Sequence, residues 1–451
     1  MPTYNIVEQG ADSTGETAID SVLSDLVGSD TTILFPQGIY KLDEFVVPAG
    51  TDNLELIAPN GARLIPGQSG DNRRWIDVYS NGFVLDGFEL DMRNVLVPPF
   101  VRMNYKAGDW ELRRIITRGA VRASTDTNVG SNDSSDARTY FRLSSAENTR
   151  GLLQDCYFHD GACSSTESGN RRAILVESGK GELVFNRCWF ESWAENTIYA
   201  KKPEGPLKIY NSFFRNSQNG LRLGGDSEVR NCVSIKDDQH PIQAWSGGSL
   251  QRGVNAEAVA PTDVENGINS YDGTLTIADS DFYHRDLSSS CGGAIMAPAP
   301  CERIDVRDVR VSYASHKSHD AIFTREKTLS NGTELNLAYL RLQNVHVTND
   351  HPRRYAISIG QVPDEWGTVS GVIGGSGAPT DSEYVRTHMT VMVIRRRRIR
   401  HRHFRLRQQS ATFRSNQPPS SVSITAVANR RRRTKSPPER TFFRQGMTEQ
   451  P

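Results

Sequence analysis

Between residues 171 and 245, carboxylates, bases and aromatic rings recur at intervals of a little over twenty residues. Arg171 and Arg172 come first, then Glu195 and Asn196, then Gln218 and Asn219, then Asp237, Asp238 and His240. A few positions on in each interval stand Glu177, then Tyr199 and Lys201, then Arg222, then Trp245. Such a set suits a sugar groove, because sugar rings stack on aromatic faces and Lys or Arg can hold the carboxylate of a uronate. Two reactions are open to it. Glycoside hydrolysis needs a carboxylate pair, for which Glu195 and Asp238 are the best choice. Elimination from a uronate needs a base for the proton beside the carboxylate and a cation or Arg for the enolate, roles open to Lys201, Arg222 or His240. The catalytic candidates are therefore Glu195, Asp238, Arg222, Lys201 and His240. The substrate-binding candidates are Glu177, Tyr199, Asn219, Asp237 and Trp245. Read singly, each is also what a solvated charge on an acidic surface looks like. No Walker loop, HExxH or CxxC pattern occurs, so no metal ligands are assigned; calcium is the cofactor a lyase could use.

These residues converge only if the chain repeats in space, and two phrases alternate along residues 150 to 360. The first is an apolar strand closed by Asp or Asn and a small residue: LLQDCYF at 152, LVFNRCWF at 183, LKIYNSFF at 207, VRNCVSI at 229, LTIADSDF at 275 and LRLQNVHV at 340. The second sets a small residue before a β-former and carries the anchors Ile174, Ile198, Leu221, Ile242, Ile295, Ile322 and Ile357. Their gaps of 24, 23, 21, 53, 27 and 35 residues read as one short unit with insertions. A unit of that length with two or three strands and no helix predicts a parallel β-helix. Leucine-rich repeats share the period, but leucine does not dominate the anchors and segments such as FESWAEN are too short for a helix per unit. Coils then rise about 4.8 Å each, so equivalent residues stack in columns. Carboxylates one coil apart would stand about 5 Å from one another, which suits a retaining glycosidase, and two coils apart nearly 10 Å, close to the roughly 6.5 to 9.5 Å of inverting ones. Strand alternation points Ile174, Ile198, Leu221 and Ile242 inward and Leu175, Tyr199, Arg222 and Gln243 outward. Asn211, Asn231 and Asn344 are expected to form part of a ladder at a corner, a structural role.

A solenoid needs a covered end. In ETAIDSVLSDLVG, residues Ile19, Val22, Leu23, Leu26 and Val27 form one face of a helix that Gly28 stops. The surrounding residues Gly10, Ala11, Gly15, Thr17, Ala18 and Ile19, followed by Phe35, Pro36, Gly38 and Tyr40, resemble the opening segment of the pectate-lyase-like right-handed β-helix superfamily, phage tailspike-type members included. The resemblance spans about residues 3 to 380 and implies an all-β, right-handed parallel β-helix. The expected division is a cap over 1–45, the β-helix over 46–385 and a disordered basic tail over 386–451. The acidic pair that often follows the first threonine in that superfamily is missing. So are the polygalacturonase motifs, apart from Asp237-Asp238, and RWIDVY at 74 has Val78 where the pectate lyases' Trp-Ile-Asp-His needs histidine. KSHDAI, with His319 and Asp320, is a second candidate position. The resemblance implies a polysaccharide partner and an extracellular or cell-surface setting, with a lyase or glycoside hydrolase on one side and a non-catalytic glycan-binding or tailspike-like protein on the other.

The chain of 451 residues carries 53 Lys+Arg and 53 Asp+Glu, but 16 of the bases and only 2 of the acids lie from Val391 onward. The first 390 residues therefore hold 37 bases against 51 acids, a balance of −14. An acidic, arginine-over-lysine body resembles proteins of salt-loving archaea. The tail, with VMVIRRRRIRHRHFRLRQQ and NRRRRTKSPPER, reads as a polycation for nucleic acid or another anionic polymer, as a shifted reading frame, or as a linker. No run approaches the roughly 18 apolar residues of a membrane-spanning helix, and the N-terminus shows no secretory signal. Of six cysteines, Cys156, Cys188 and Cys232 share one repeat position and read as a buried column, while Cys291 and Cys301 flank GGAIMAPAP and could pair in an exported protein.

Overall fold

In the computed structural model the described residues are 1–393 without 68–73, 94, 96–98, 120–138, 162–171, 194–195, 201–204, 218, 238–251, 258–270, 286–292, 300, 315–319, 329–331 and 333. Short runs of β-branched and aromatic residues wind into a right-handed parallel β-helix. Among the described residues, twelve strands form one narrow sheet in strict chain order, from Phe45–Val47 to Ala378–Thr380. A broad sheet of 23 strands supplies the rest of the wall. It has two wings: Glu182–Asn186, for instance, pairs with Leu207–Tyr210 in the first, and Trp189–Glu191 with Phe213–Arg215 in the second.

The corner between the wings is made by one left-handed residue per coil. Arg114, Asp155, Arg187, Asn211, Asn231, Asp279, Asp308 and Asn344 all have φ between 50° and 56°. Asn and Asp tolerate this conformation because their short polar side chains bond locally. The expected asparagine ladder is present: Asn211 donates to Asn186 at 2.7 Å, Asn231 to Asn211 at 2.6 Å, and Asn344 to Asp308 at 2.7 Å. Where arginine takes the corner, its guanidinium reaches an adjacent carboxylate, Arg114 to Asp86 and Arg187 to Asp155, both at 2.6 Å. Corner amides are also paired, Asn211 N–H to Arg230 C=O at 3.0 Å and Asn231 N–H to Ala278 C=O at 3.1 Å. No backbone donor of the bend is wasted there.

Inside, identical positions stack. Phe158, Phe190 and Phe214 lie nearly parallel, with centroids 4.8 and 5.3 Å apart. Just past the corner, Cys156, Cys188 and Cys232 occupy one interior column, all free and buried, with Ser212 inserted between the last two. Ser212 accepts from the Cys188 amide at 3.1 Å, so a hydroxyl fills a thiol's place without an unmet donor. Burial raises the Cys156 thiol pKa and pushes that of Cys232 up to about 12. Cys301 is likewise free and buried, and Cys291 lies outside the described residues.

Anchors Ile174, Ile198, Leu221, Ile295, Ile322 and Ile357 are buried in the narrow sheet as expected. Ile242 is not the next anchor after Leu221. The strand that pairs with Asn219–Leu223 is Arg252–Glu257, which sets Val254 on Leu221, Asn255 on Arg222 and Ala256 on Leu223. The phrase PIQAW falls within 238–251, outside the described residues, and the coil is completed only after that segment.

The cap helix Asp20–Leu26 buries Leu23, and the Asp20 carboxylate accepts from the amides of Asp43 and Glu44. Ordered chain continues beyond residue 385, where the sequence pattern stops. Ser382 caps a second short helix, Glu383–His388, which buries Val385, and Thr390–Val393 then adds a strand to Glu365–Gly375. No helix among the described residues is long and apolar enough to cross a membrane.

Candidate functional site

The outward column of the narrow sheet runs, coil by coil, through Val46, Asp77, Arg102, Arg142, Leu175, Tyr199 and Arg222. Alternation places these side chains on the opposite side from Ile76, Val101, Phe141, Ile174, Ile198 and Leu221, whose side chains fill the core. Arginines thus accumulate on one face of an otherwise acidic body.

Each guanidinium is held by an aromatic ring or a carboxylate. Arg172 opens its strand in register with Asn196, and its Cζ lies 4.0 Å from the Tyr199 ring centre. Arg222, one coil further, lies 4.8 Å from the same ring. One phenol therefore carries two cations, each contact worth about 0.5–2 kcal/mol depending on burial. Arg142 packs over Phe100 at 4.4 Å and reaches Glu177 Oε1 at 3.5 Å. Arg102 donates two parallel bonds of 2.7 Å to Asp77 and a third, of 2.6 Å, to Tyr79 Oη. Asp77 is fully buried and also meets Arg74 at 3.1 Å. The hydrogen bonds to Asp77 hold the Arg102 guanidinium above its ordinary pKa. A guanidinium stacked by its face directs its donor fork edgewise, the geometry that grips a carboxylate by two parallel bonds.

Of the residues expected from the sequence, the structure brings Glu177, Tyr199 and Arg222 onto this face. Asn219 opens its strand in register with Asn196 and Arg252. Asp237 stands at the turn after Val233–Lys236, where Arg215 meets it at 3.0 Å and Asn216 exchanges two hydrogen bonds with it at 2.8 and 2.9 Å. Glu195, Lys201, Asp238, His240 and Trp245 lie outside the described residues, as does His319. Asp320 accepts from the Tyr355 amide at 2.7 Å, a strand-joining role. Sequence reasoning missed Asp77, Tyr79, Arg102 and Arg142 as site residues. Their signal was present in RWIDVY, FVRM and TYFRL, where a polar residue follows an inward anchor as Arg222 follows Leu221. Among the described residues no three His, Cys, Asp or Glu side chains gather as a metal set.

No protein-family model and no curated protein sequence matches the chain. Solved structures do. The chain is similar to the A-module of a mannuronan C-5 epimerase from Azotobacter vinelandii, at 12% identity over 87% of this chain and 98% of that one, with a TM-score of 0.48. It is similar to the surface adhesin PfbA of Streptococcus pneumoniae, at 13% identity over 87% and 91%, TM-score 0.44. It is also similar to a family 28 exopolygalacturonase of Yersinia enterocolitica, at 12% identity over 87% and 78%, TM-score 0.48.

Proposed function

We propose that the outer face of the narrow sheet binds an acidic polysaccharide and that the protein cleaves it by elimination at a uronate. The observation that carries this reading is the Arg172–Tyr199–Arg222 stack, with Arg142 and Arg102 on the preceding coils. A uronate carboxylate held by Arg222, the half-buried member of a row whose Arg142 and Arg172 are buried, has its charge neutralised, which makes the proton on the neighbouring carbon easier to remove. A base then takes that proton, the electron pair forms a ring double bond, and the glycosidic oxygen leaves with a proton as a free hydroxyl. Lys201 and His240 remain the candidates for the base, with Arg222 the residue for the enolate. Hydrolysis by Glu195 and Asp238 would break the same bond with addition of water. The guanidinium-rich face favours elimination, because a row of cations can hold a uronate carboxylate; Asp77 and Glu177, the carboxylates of this face, are both engaged by arginines.

Incubation with polygalacturonate and alginate at high salt tests the proposal. The expected products are new reducing ends together with the absorbance of an unsaturated uronate, and the Arg172→Ala and Arg222→Ala variants should lose affinity by about tenfold each. Reducing ends without that absorbance would mean hydrolysis. Wild-type affinity in both variants would remove the site. The engagement of both carboxylates also favours a second reading, a non-catalytic glycan-binding protein, which predicts the same affinities with no product.

A further inference from the structure

The second wing of the broad sheet carries a feature of different chemistry. Tyr157, Trp189 and Phe213 occupy one outward column in parallel register, followed by Val233. Ring centres are 5.5 Å apart between Tyr157 and Trp189 and 4.2 Å between Trp189 and Phe213, so the rings form a nearly continuous stripe along the coil axis. Trp189 is 38% exposed, against 2% for Cys188 beside it. Its ring is fixed: the indole N–H donates to Glu191 Oε1 at 2.8 Å. An indole that needed only a place in water would not require a buried carboxylate to orient it.

The charges bordering the stripe are paired with one another, the guanidinium groups of Arg118 and Arg215 standing among the carboxylates of Asp160, Glu191 and Asp237. His159 stacks on Tyr157 at 4.5 Å and meets Arg118 at 2.7 Å and Asp160 at 3.1 Å. Arg215 lies between Glu191, at 3.9 Å, and Asp237, at 3.0 Å. The border therefore offers donors and acceptors already tied in ion pairs and no row of cations, unlike the arginine face of the narrow sheet. A row of rings set one coil apart and flanked by mutually paired polar groups matches an uncharged chain of sugar rings, which presents apolar faces to the aromatics and hydroxyls to the edges.

We infer that the Tyr157–Trp189–Phe213 stripe is a second carbohydrate-binding surface, for a neutral glycan chain lying along the coil axis. It is independent of the reading given to the narrow sheet. The full chain is titrated calorimetrically with cellohexaose, xylohexaose and mannohexaose, and separately with an oligogalacturonate. At least one neutral hexaose should bind, Trp189→Ala should weaken it about tenfold, and Trp189→Phe should stay within about threefold of wild type. Arg222→Ala should leave that binding unchanged while weakening the oligogalacturonate, and Trp189→Ala should do the reverse. Three results would each overturn the inference: no neutral hexaose binds, Trp189→Ala leaves neutral affinity unmoved, or sedimentation shows Trp189→Ala turning a dimer into a monomer, which makes the stripe a self-interface.

Discussion

Tyr199 is the residue on which the arginine face turns. Two guanidinium groups, from the coils before and after its own, use its ring, so its contribution lies in the ring's electron-rich face and not in its hydroxyl. Tyr199→Phe should therefore hold affinity for polygalacturonate within about twofold, whereas Tyr199→Ala should lower it about tenfold, measured by calorimetry on protein whose circular dichroism is unchanged. Equal losses in the two variants would assign the role to the phenol oxygen. Asp77 shows the opposite arrangement. It is buried with Arg102 and Arg74 around it, and its carboxylate serves to keep cations in the wall.

At the level of the coil, the corner residue decides where the chain bends, and it does so by two separable means. Asn211 has φ of 52°, and its side chain links Asn186 to Asn231 across three coils. Asn211→Gly keeps the backbone conformation and loses only the side-chain bonds, while Asn211→Ala loses both. The alanine variant should be less stable than the glycine variant by about 1 kcal/mol, read from denaturant midpoints. A reversed order would show that the left-handed backbone costs nothing at this bend. The coils were legible in the sequence where inward and outward residues alternate at a near-constant interval, as from Ile174 to Leu221. Legibility failed after Leu221, because PIQAW matches the strand phrase in sequence, whereas the strand in register with Leu221 on the following coil is Arg252–Glu257. Gly253-Val254 obeys the same rule of a small residue before a β-former, but Arg252, Asn255 and Glu257 make RGVNAE too polar to stand out. The site was half legible for the same reason: Arg222 and Tyr199 sit in regular units, whereas Arg102 and Arg142 belong to strands separated by 120–138.

At the largest scale, the coils of the described residues form a tube whose faces have diverged. The first wing is tied by ion pairs between coils, such as Arg230 with Asp279 and Lys208 with Glu182. The second wing bears the aromatic stripe, and the narrow sheet bears arginine. Such a division is possible because a solenoid fixes its fold through interior columns and leaves each exterior column free to change. One interior column also lends the molecule a clock. Protonated, solvent-shielded sulfur at positions 156 and 232 cannot be alkylated until neighbouring rungs part. Pulsed iodoacetamide with mass spectrometry should mark Cys156 and Cys232 only at the rate the wall unzips, and together if it unzips in one event. Unequal rates would locate the rung that opens first, which no spectroscopic average over the whole chain reveals.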